Sequence, residues 1–219
     1  MNPRPLQYAP PDIPLSILHQ DDDLLVLSKP SGLLSVPGKA EDHADSLETR
    51  AKAEFPDALL VHRLDLETSG VFVMAMNKDA QANLGKQFES RKTHKIYIAR
   101  VWGLPEHDEG HIDLPLRCDW DNRPRQMVCH EHGKSAQTGW RVLEREDHAA
   151  RLELTPLTGR SHQLRVHCAE IGYPILGDPF YAPEDVYAAA DRLQLHAHAL
   201  TLHHPKDGER VTFTEPCPF

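Results

Sequence analysis

Apolar and polar residues alternate along much of this chain in short runs with a period of two, the spacing of half-buried strands. Ile17 to His19 and Leu24 to Ser28 are two such runs, joined by the turn Asp21-Asp22-Asp23. Lys29-Pro30-Ser31-Gly32 and Val36-Pro37-Gly38 then punctuate a long turn. Val71 to Met76 is apolar throughout, as a buried strand requires. Thr93 to Trp102 sets Ile96 and Ile98 on one face and Tyr97, Ala99 and Val101 on the other. That pattern predicts a central strand, with Tyr97 turned into a packed region or a pocket. Further strands are expected over His111 to Leu116, Met127 to His130, Ser135 to Leu143, Ala150 to Leu154, Gln194 to Leu202 and Val211 to Thr214.

Helical spacing is confined to fewer places. Ala80, Leu84 and Phe88 recur every four residues behind Asn77, which predicts a capped helix from Lys78 to about Ser90. Asp45 or Ser46 is placed to cap a helix that Pro56 ends, with Asp45 and Glu48 at capping-box spacing. Ser161 is the cap expected for a helix through Leu164, Cys168 and Ile171, stopped by Gly172. Glu184 to Leu193 reads as a fourth helix. Strands outnumber helices and are joined by short turns. The expected fold class is therefore α+β, a mixed but mostly antiparallel central sheet flanked by helices and loops.

Composition narrows the class. With 219 residues, 40% hydrophobic and 26% charged, the chain suits an ordinary globular protein with a sizeable core. No stretch approaches the ~18 apolar residues of a membrane span, so no membrane partner is expected. Residues 1–14 are Pro-rich without an apolar core, which predicts an extended arm and not a signal peptide. Cys118, Cys129, Cys168 and Cys217 are scattered, as expected of reduced thiols in a cytoplasmic protein. The net charge of -9 argues against broad nucleic-acid binding, and DNA is not an expected partner. Cations are nevertheless grouped, in Lys86, Arg91, Lys92, Lys95 and Arg100 and again in Arg117, Arg123, Arg125 and Lys134. Such a map suits a polyanion that docks in one place, although each group alone also fits a solvated face.

The stretch with the most chemistry is Val61 to Gly70, V-H-R-L-D-L-E-T-S-G. Asp65 stands between His62-Arg63 and the turn Thr68-Ser69-Gly70, on a loop that feeds a buried strand. Asp65 can pair with Arg63 or cap the turn, and equally can serve as a reactive carboxylate. The histidines His162, His167, His196, His198, His203 and His204 lack a completing Cys or carboxylate at zinc spacing, so no metal is expected. Dinucleotide, P-loop and serine-hydrolase motifs are absent, so no cofactor is expected either. What remains is a loop carboxylate (Asp65), a phenol on a central strand (Tyr97) and a guanidinium in the first turns of a helix (Arg165). An arginine beside a desolvated carboxylate keeps it ionised. Arg165, on a helix whose opposite stripe is expected to be buried, is the candidate.

Four segments together resemble the RluA family of pseudouridine synthases: H-R-L-D-L-E-T-S-G at 62 to 70, K-x-Y-x-A at Lys95 to Ala99, G-R-S-H-Q-L-R-V-H at 159 to 167, and L-Q-L-H-A at 193 to 197. K-P-S-G-L-L-S-V-P-G at 29 to 38 and P-I-L-G-D-P-F-Y-A at 174 to 182 fit as well. The resemblance runs from about Ile13 to the end. It implies the pseudouridine synthase fold in a single catalytic domain over residues 15–219, without an S4 domain, resembling the shorter members that act on both rRNA and tRNA. It implies isomerisation of uridine to pseudouridine in RNA, without a cofactor, by an enzyme expected to be a monomer. The family's essential aspartate maps to Asp65, its stacking tyrosine to Tyr97 and its basic partner of the aspartate to Arg165. Val166 and Leu195 fall where the family lines the uracil pocket. Arg63 falls where a side chain enters the gap left by the extruded base, and His62 stands beside it as a substrate-binding candidate. The implied targets are uridine 746 of a 23S rRNA hairpin and uridine 32 of tRNA anticodon stem-loops. Pro179 and the segment Cys129 to His132 depart from the pattern, which puts loop shape and substrate choice in question, not the catalytic set. A non-catalytic RNA binder on the same fold is the alternative. A nucleoside glycosidase would need a second carboxylate, for which Glu67 is the near candidate.

Overall fold

A computed structural model describes residues 8–219. The first seven residues of the expected arm lie outside them. In chain order the elements are β1 (Ser16–Gln20), β2 (Leu24–Lys29), a 3₁₀ turn (Glu41–His43), α1 (Leu47–Glu54), β3 (Leu59–Leu60), β4 (Ser69–Ala75) and α2 (Lys78–Glu89). Then come β5 (His94–Trp102), β6 (Glu109–Asp113), β7 (Leu116–Cys118), β8 (Gln126–Val128), β9 (Gln137–Arg145) and β10 (Ala149–Pro156). The chain finishes with α3 (Gln163–Glu170), α4 (Glu184–Ala188), β11 (Leu195–His203) and β12 (Arg210–Thr214).

These elements form two compact units. One holds the described residues up to Lys95 together with His196–Pro218, and the other holds Ile96–Leu195 and Phe219. In the first, β2 lies antiparallel between β1 and β4, and β12 lies antiparallel to β11. The start of β11 runs parallel to β4, with His196 opposite Ser69 and Ala197 opposite Gly70. In the second, β10 is antiparallel to β5 and β9, β9 is antiparallel to β6, and β7 and β8 form a separate hairpin. The α+β class with mostly antiparallel pairing, expected from the run lengths, is the observed one.

The first unit is layered about β4, every residue of which is buried. Alternate side chains of a strand face opposite ways, so β4 needs cover on both sides. On one side Val71, Val73 and Ala75 pack with Leu24, Val26, Leu200 and the α2 residues Ala80 and Leu84. On the other, Phe72 and Met74 pack with Leu25, Leu27 and the α1 residues Leu47 and Ala51. In the second unit Ala99 and Val101 of β5 pack with Leu152 and Leu154 of β10, Leu164 and Cys168 of α3, and Leu195. Cys168 is buried, and its thiol is pushed up to about 12, first by that burial and then by the negative charge of Asp178.

Helix ends show where local pattern and structure part. Asn77 caps α2 as expected, its Oδ1 accepting from Ala80 N at 2.8 Å. For α1 the cap is Ser46, and the capping box closes on Thr49, not Glu48. Asp45 instead accepts from Arg50 Nε and Nη2 at 2.8 and 2.7 Å. Ser161 caps nothing. The N-cap of α3 is His162, in the left-handed conformation at φ 53°, and the polar work falls to Gln163. Its Oε1 accepts from Thr158 Oγ1 and from Arg160 N. Gln163 to Cys168 are all buried, so α3 has no exposed stripe over its first turns. The fourth helix ends at Ala188, shorter than its sequence suggested, and Leu193 goes into the core.

Tyr8, the first described residue of the arm, donates to Asp45 O at 2.8 Å and accepts from Leu34 N at 3.2 Å. Arg50 Nη1 donates to Ile13 O. The described part of the arm is therefore docked on its own unit.

Candidate active site

The Asp65 loop connects β3 to β4, and its backbone is fastened at every step. Ser35 Oγ donates to Leu64 O at 2.7 Å and accepts from Leu64 N at 3.0 Å. Thr68 N donates to Asp65 O, and Gly32 N donates to Leu66 O. Ser31 Oγ donates to Glu67 O at 2.8 Å. The ammonium of Lys29, whose side chain is fully buried, donates to Pro30 O at 3.0 Å and to Leu66 O and Thr68 O at 2.9 Å. All five carbonyls from Leu64 to Thr68 thus have partners, two of them supplied by one cation with three N–H donors. Buried carbonyls without donors would splay the loop, so the K-P-S-G turn and Ser35 fix the backbone that carries Asp65.

The exit of the loop is equally constrained. Gly70 has φ 111°, and a Cβ there would lie 2.2 Å from Ala197 O on the parallel neighbour. Only glycine fits, which accounts for the small residues that follow Asp65. Next to it Ser69 Oγ lies 2.9 Å from His196 Nδ1. His196 Nε2 lies 3.1 Å from Glu215 O, a carbonyl that can only accept, so Nε2 carries the proton and Ser69 donates to Nδ1.

The predicted site residues divide between the units. Asp65 and the exposed Arg63 stand on the loop just described. His62, expected to bind substrate, is held by contacts within its own unit. Its ring stacks on Phe72 and Phe88, with centroids at 4.6 and 4.9 Å, and its Nε2 accepts from Val73 N at 3.0 Å. Burial, and secondarily the charge of Lys95, holds its pKa down at about 3, so it is a neutral strut under the loop. Glu67, the candidate second carboxylate, takes a hydrogen bond from Ser31 at 3.1 Å.

In the other unit Tyr97 packs against the cluster that contains Leu195, and Leu164 and Cys168 tie α3 to the same cluster. Arg165 is held from its own unit by Asp178. Nε donates to Oδ2 at 2.7 Å and Nη2 to Oδ1 at 2.6 Å, with both side chains almost fully buried. Asp178 also accepts from Phe180 N and Tyr181 N. The guanidinium lies 5.1 and 5.2 Å from the Phe180 and Tyr181 ring centroids. A bidentate pair of this kind fixes the guanidinium plane. Val166, expected at the pocket, is packed with Leu116 and Ala136 beneath the β7–β8 hairpin. Arg100 drops out of the cationic group, because it pairs with Glu146.

Sequence reasoning passed over Lys29, Ser35, Asp178 and Tyr181. They lie in the strings K-P-S-G-L-L-S-V-P-G and P-I-L-G-D-P-F-Y-A, which counted toward the resemblance without a role for these side chains. The other histidines are also accounted for locally. His167 lies 3.0 Å from Leu114 O and 2.9 Å from Thr138 Oγ1, and His198 Nδ1 lies 2.7 Å from Glu215 O. Among the described residues one group, Asp21, Asp23 and His204, could bring three ligand atoms together. There Asp21 caps its own turn and pairs with His19 and His204. Burial opposes ionisation of Asp21, but these bonds outweigh it and hold its carboxyl well below the usual range.

Residues 23–170 match the family model described as RNA pseudouridylate synthase. The chain belongs to the RNA pseudouridine synthase family, whose members are isomerases. It is 55% identical over 214 residues, 97% of this chain and 98% of the relative, to the dual-specificity RNA pseudouridine synthase RluA of Escherichia coli K12. It is 52% identical over 220 residues to the enzyme of the same name from Vibrio vulnificus, covering 98% of this chain and 88% of that one. Among solved structures, human RNA pseudouridylate synthase domain containing 1 superposes with a TM-score of 0.79 at 31% identity, covering 94% of this chain and 84% of that one. Human RNA pseudouridylate synthase domain containing 4 gives 0.74 at 29% identity, covering 93% and 88%.

Two outcomes follow from the loop. Lys29→Met strands Thr68 O and Pro30 O, each acceptor costing about 1–3 kcal/mol. Urea unfolding should show a loss of about 3 kcal/mol or more, and wild-type stability in the variant would refute the tether. His62 takes up a proton near pH 3 when folded and near 6.5 when unfolded, so the unfolded chain binds more protons between those values. Stability must then fall as pH drops through that window, by up to about 1.4 kcal/mol per pH unit. His62→Gln should flatten this slope between about pH 6 and pH 4, and equal slopes would show that His62 is not the group responsible.

Proposed function

We propose that this protein converts uridine to pseudouridine in two structured RNAs, an rRNA hairpin and the anticodon stem-loop of tRNA, with Asp65 as the catalytic carboxylate. The observation that carries the reading is the Asp65 loop itself. Five consecutive carbonyls are tied down so that one carboxylate is presented on rigid backbone, within a chain of the pseudouridine synthase family. The dual specificity named for the relatives supports the two substrate classes. The finer targets are uridine 746 of 23S rRNA and uridine 32 of tRNA.

The chemistry needs no external reagent. The bond from uracil N1 to ribose C1′ breaks, the base turns, and a bond forms from C5 to C1′. The C5 hydrogen leaves as a proton and N1 gains one, so atoms and electrons balance without redox change. The uridine must leave the stack first, at a cost of a few kcal/mol. In this reading Arg63, long, cationic and exposed on the loop, fills the vacated space and meets phosphate. Tyr97 and Leu195 hold the uracil by stacking and apolar contact. Arg165, its plane fixed by Asp178, is in this reading the basic partner of the catalytic carboxylate. His62 and Val166 act by packing. Residues 15–219 then serve as one catalytic domain, acting as a monomer in the cytoplasm. Among the described residues no helix is long and apolar enough to cross a membrane.

Release of tritium from RNA labelled at uridine C5 measures the step directly. Asp65→Asn should slow it by at least about a thousandfold, the scale of losing a positioned acid–base or nucleophilic group, while RNA binding is kept. Turnover near the wild-type rate in that variant would overturn the assignment.

A further inference from the structure

The β7–β8 hairpin carries the most exposed large apolar side chain among the described residues. Trp120 is 66% exposed. Exposure of an indole costs hydrophobic free energy and calls for a reason. The tip is nevertheless closed by its own hydrogen bonds. Asp119 N donates to Arg125 O, Asn122 N to Asp119 O and Arg125 N to Asn122 O, which closes the turn from Asp119 to Arg125. Asn122 Nδ2 also donates to the Asp119 carboxylate. Arg123 lies 5.1 Å from the Trp120 ring centroid, and its Nε donates to Trp120 O at 3.2 Å. The ring is thus backed by a guanidinium and held on a closed turn.

The base of the hairpin leads to Arg165. Gln126 N donates to Tyr181 Oη at 2.8 Å. Arg125 lies 5.4 Å from the Tyr181 ring centroid, and Arg165 lies 5.2 Å from it. Tyr181 Oη is 2.6 Å from Nδ1 of His162, the left-handed residue that opens α3. Tyr181 thus joins the base of the hairpin to the helix of Arg165, beside the packing of Leu116 and Val128 with Val166.

We propose that Trp120, braced by Arg123, is a stacking platform for an unpaired base of the RNA substrate. This inference rests on the reading of the protein as an RNA isomerase and adds a specificity-determining residue to it. Charge favours RNA over an apolar protein partner. Exposed Arg117, Arg123 and Lys134 stand on and beside the hairpin against one exposed tip acid, Asp121, while Asp119 is committed to Asn122. An ordered aromatic plane with cations beside it is what single-stranded bases bind, with a loss of about five- to a hundredfold when the ring is cut to alanine.

The test uses the full chain and a synthetic stem-loop RNA carrying the anticodon-arm uridine. Trp120→Ala should raise KM about five- to a hundredfold and leave kcat within about twofold, and Trp120→Phe should recover most of the loss. Thermal unfolding should not shift in either variant. Binding is read separately in Asp65→Asn. The RNA should quench tryptophan fluorescence there, and the quench should shrink when Trp120→Phe is added although affinity is largely kept. An unchanged KM in Trp120→Ala, or a quench that ignores Trp120, overturns the platform. So does an equal loss in both Trp120 variants accompanied by a lowered melting temperature, which would mark a structural role. If the wild-type chain binds the stem-loop but isomerises nothing, the isomerase reading fails while the quench still decides the platform.

Discussion

One buried ammonium sets the terms for the first unit. Lys29 ends β2 and lies beneath the Asp65 loop, where it reaches Pro30 O, Leu66 O and Thr68 O. Burying a charge is costly unless every donor is used, and here three donors meet three carbonyls. The consequence is a loop that cannot drift. Ser31, Gly32 and Ser35, from the turn after Lys29, take up carbonyls that Lys29 does not hold alone. Beneath the loop His62 is stacked and neutral, and beyond it Gly70 admits the backbone of β11. The loop backbone that carries Asp65 is thus committed from Leu64 to Thr68.

The second unit uses the same principle with the opposite sign. Arg165 is buried, and Asp178 meets it with two short bonds while accepting two backbone N–H groups. Such a pair adds little net stability, but removing either partner leaves an uncompensated charge. Its value is geometric. The guanidinium is held in one plane at the first turns of α3, between the core cluster of Tyr97 and Leu195 on one part of the unit and the hairpin contacts of Tyr181 on another. A rigid carboxylate partner leaves the guanidinium little freedom to tilt.

Much of this was legible from pattern. The strands of both units follow from period-two runs, and α2 follows from the Ala80, Leu84, Phe88 stripe behind Asn77. Local readings failed where two residues compete for one task. Asp45 and Ser46 could each cap α1, and the decision fell to Arg50, which draws Asp45 away. Ser161 lost its role because Gln163 satisfies the turn from inside the helix. The rings that His62 stacks on, Phe72 and Phe88, were likewise not legible from its place beside Arg63. Lys29 was invisible because two of its three acceptors lie some forty residues away. Pattern finds elements. It does not find which buried charge holds which carbonyl.

Asp65 is proposed above to serve RNA isomerisation at defined uridines, and mapping pseudouridine across rRNA and tRNA from cells with and without this protein is the decisive measurement. Modification should disappear together from one rRNA hairpin uridine and one anticodon-arm uridine in cells lacking the protein. Both should return with the wild-type chain and not with Asp65→Asn. Identical maps in the two cell populations would contradict this proposal.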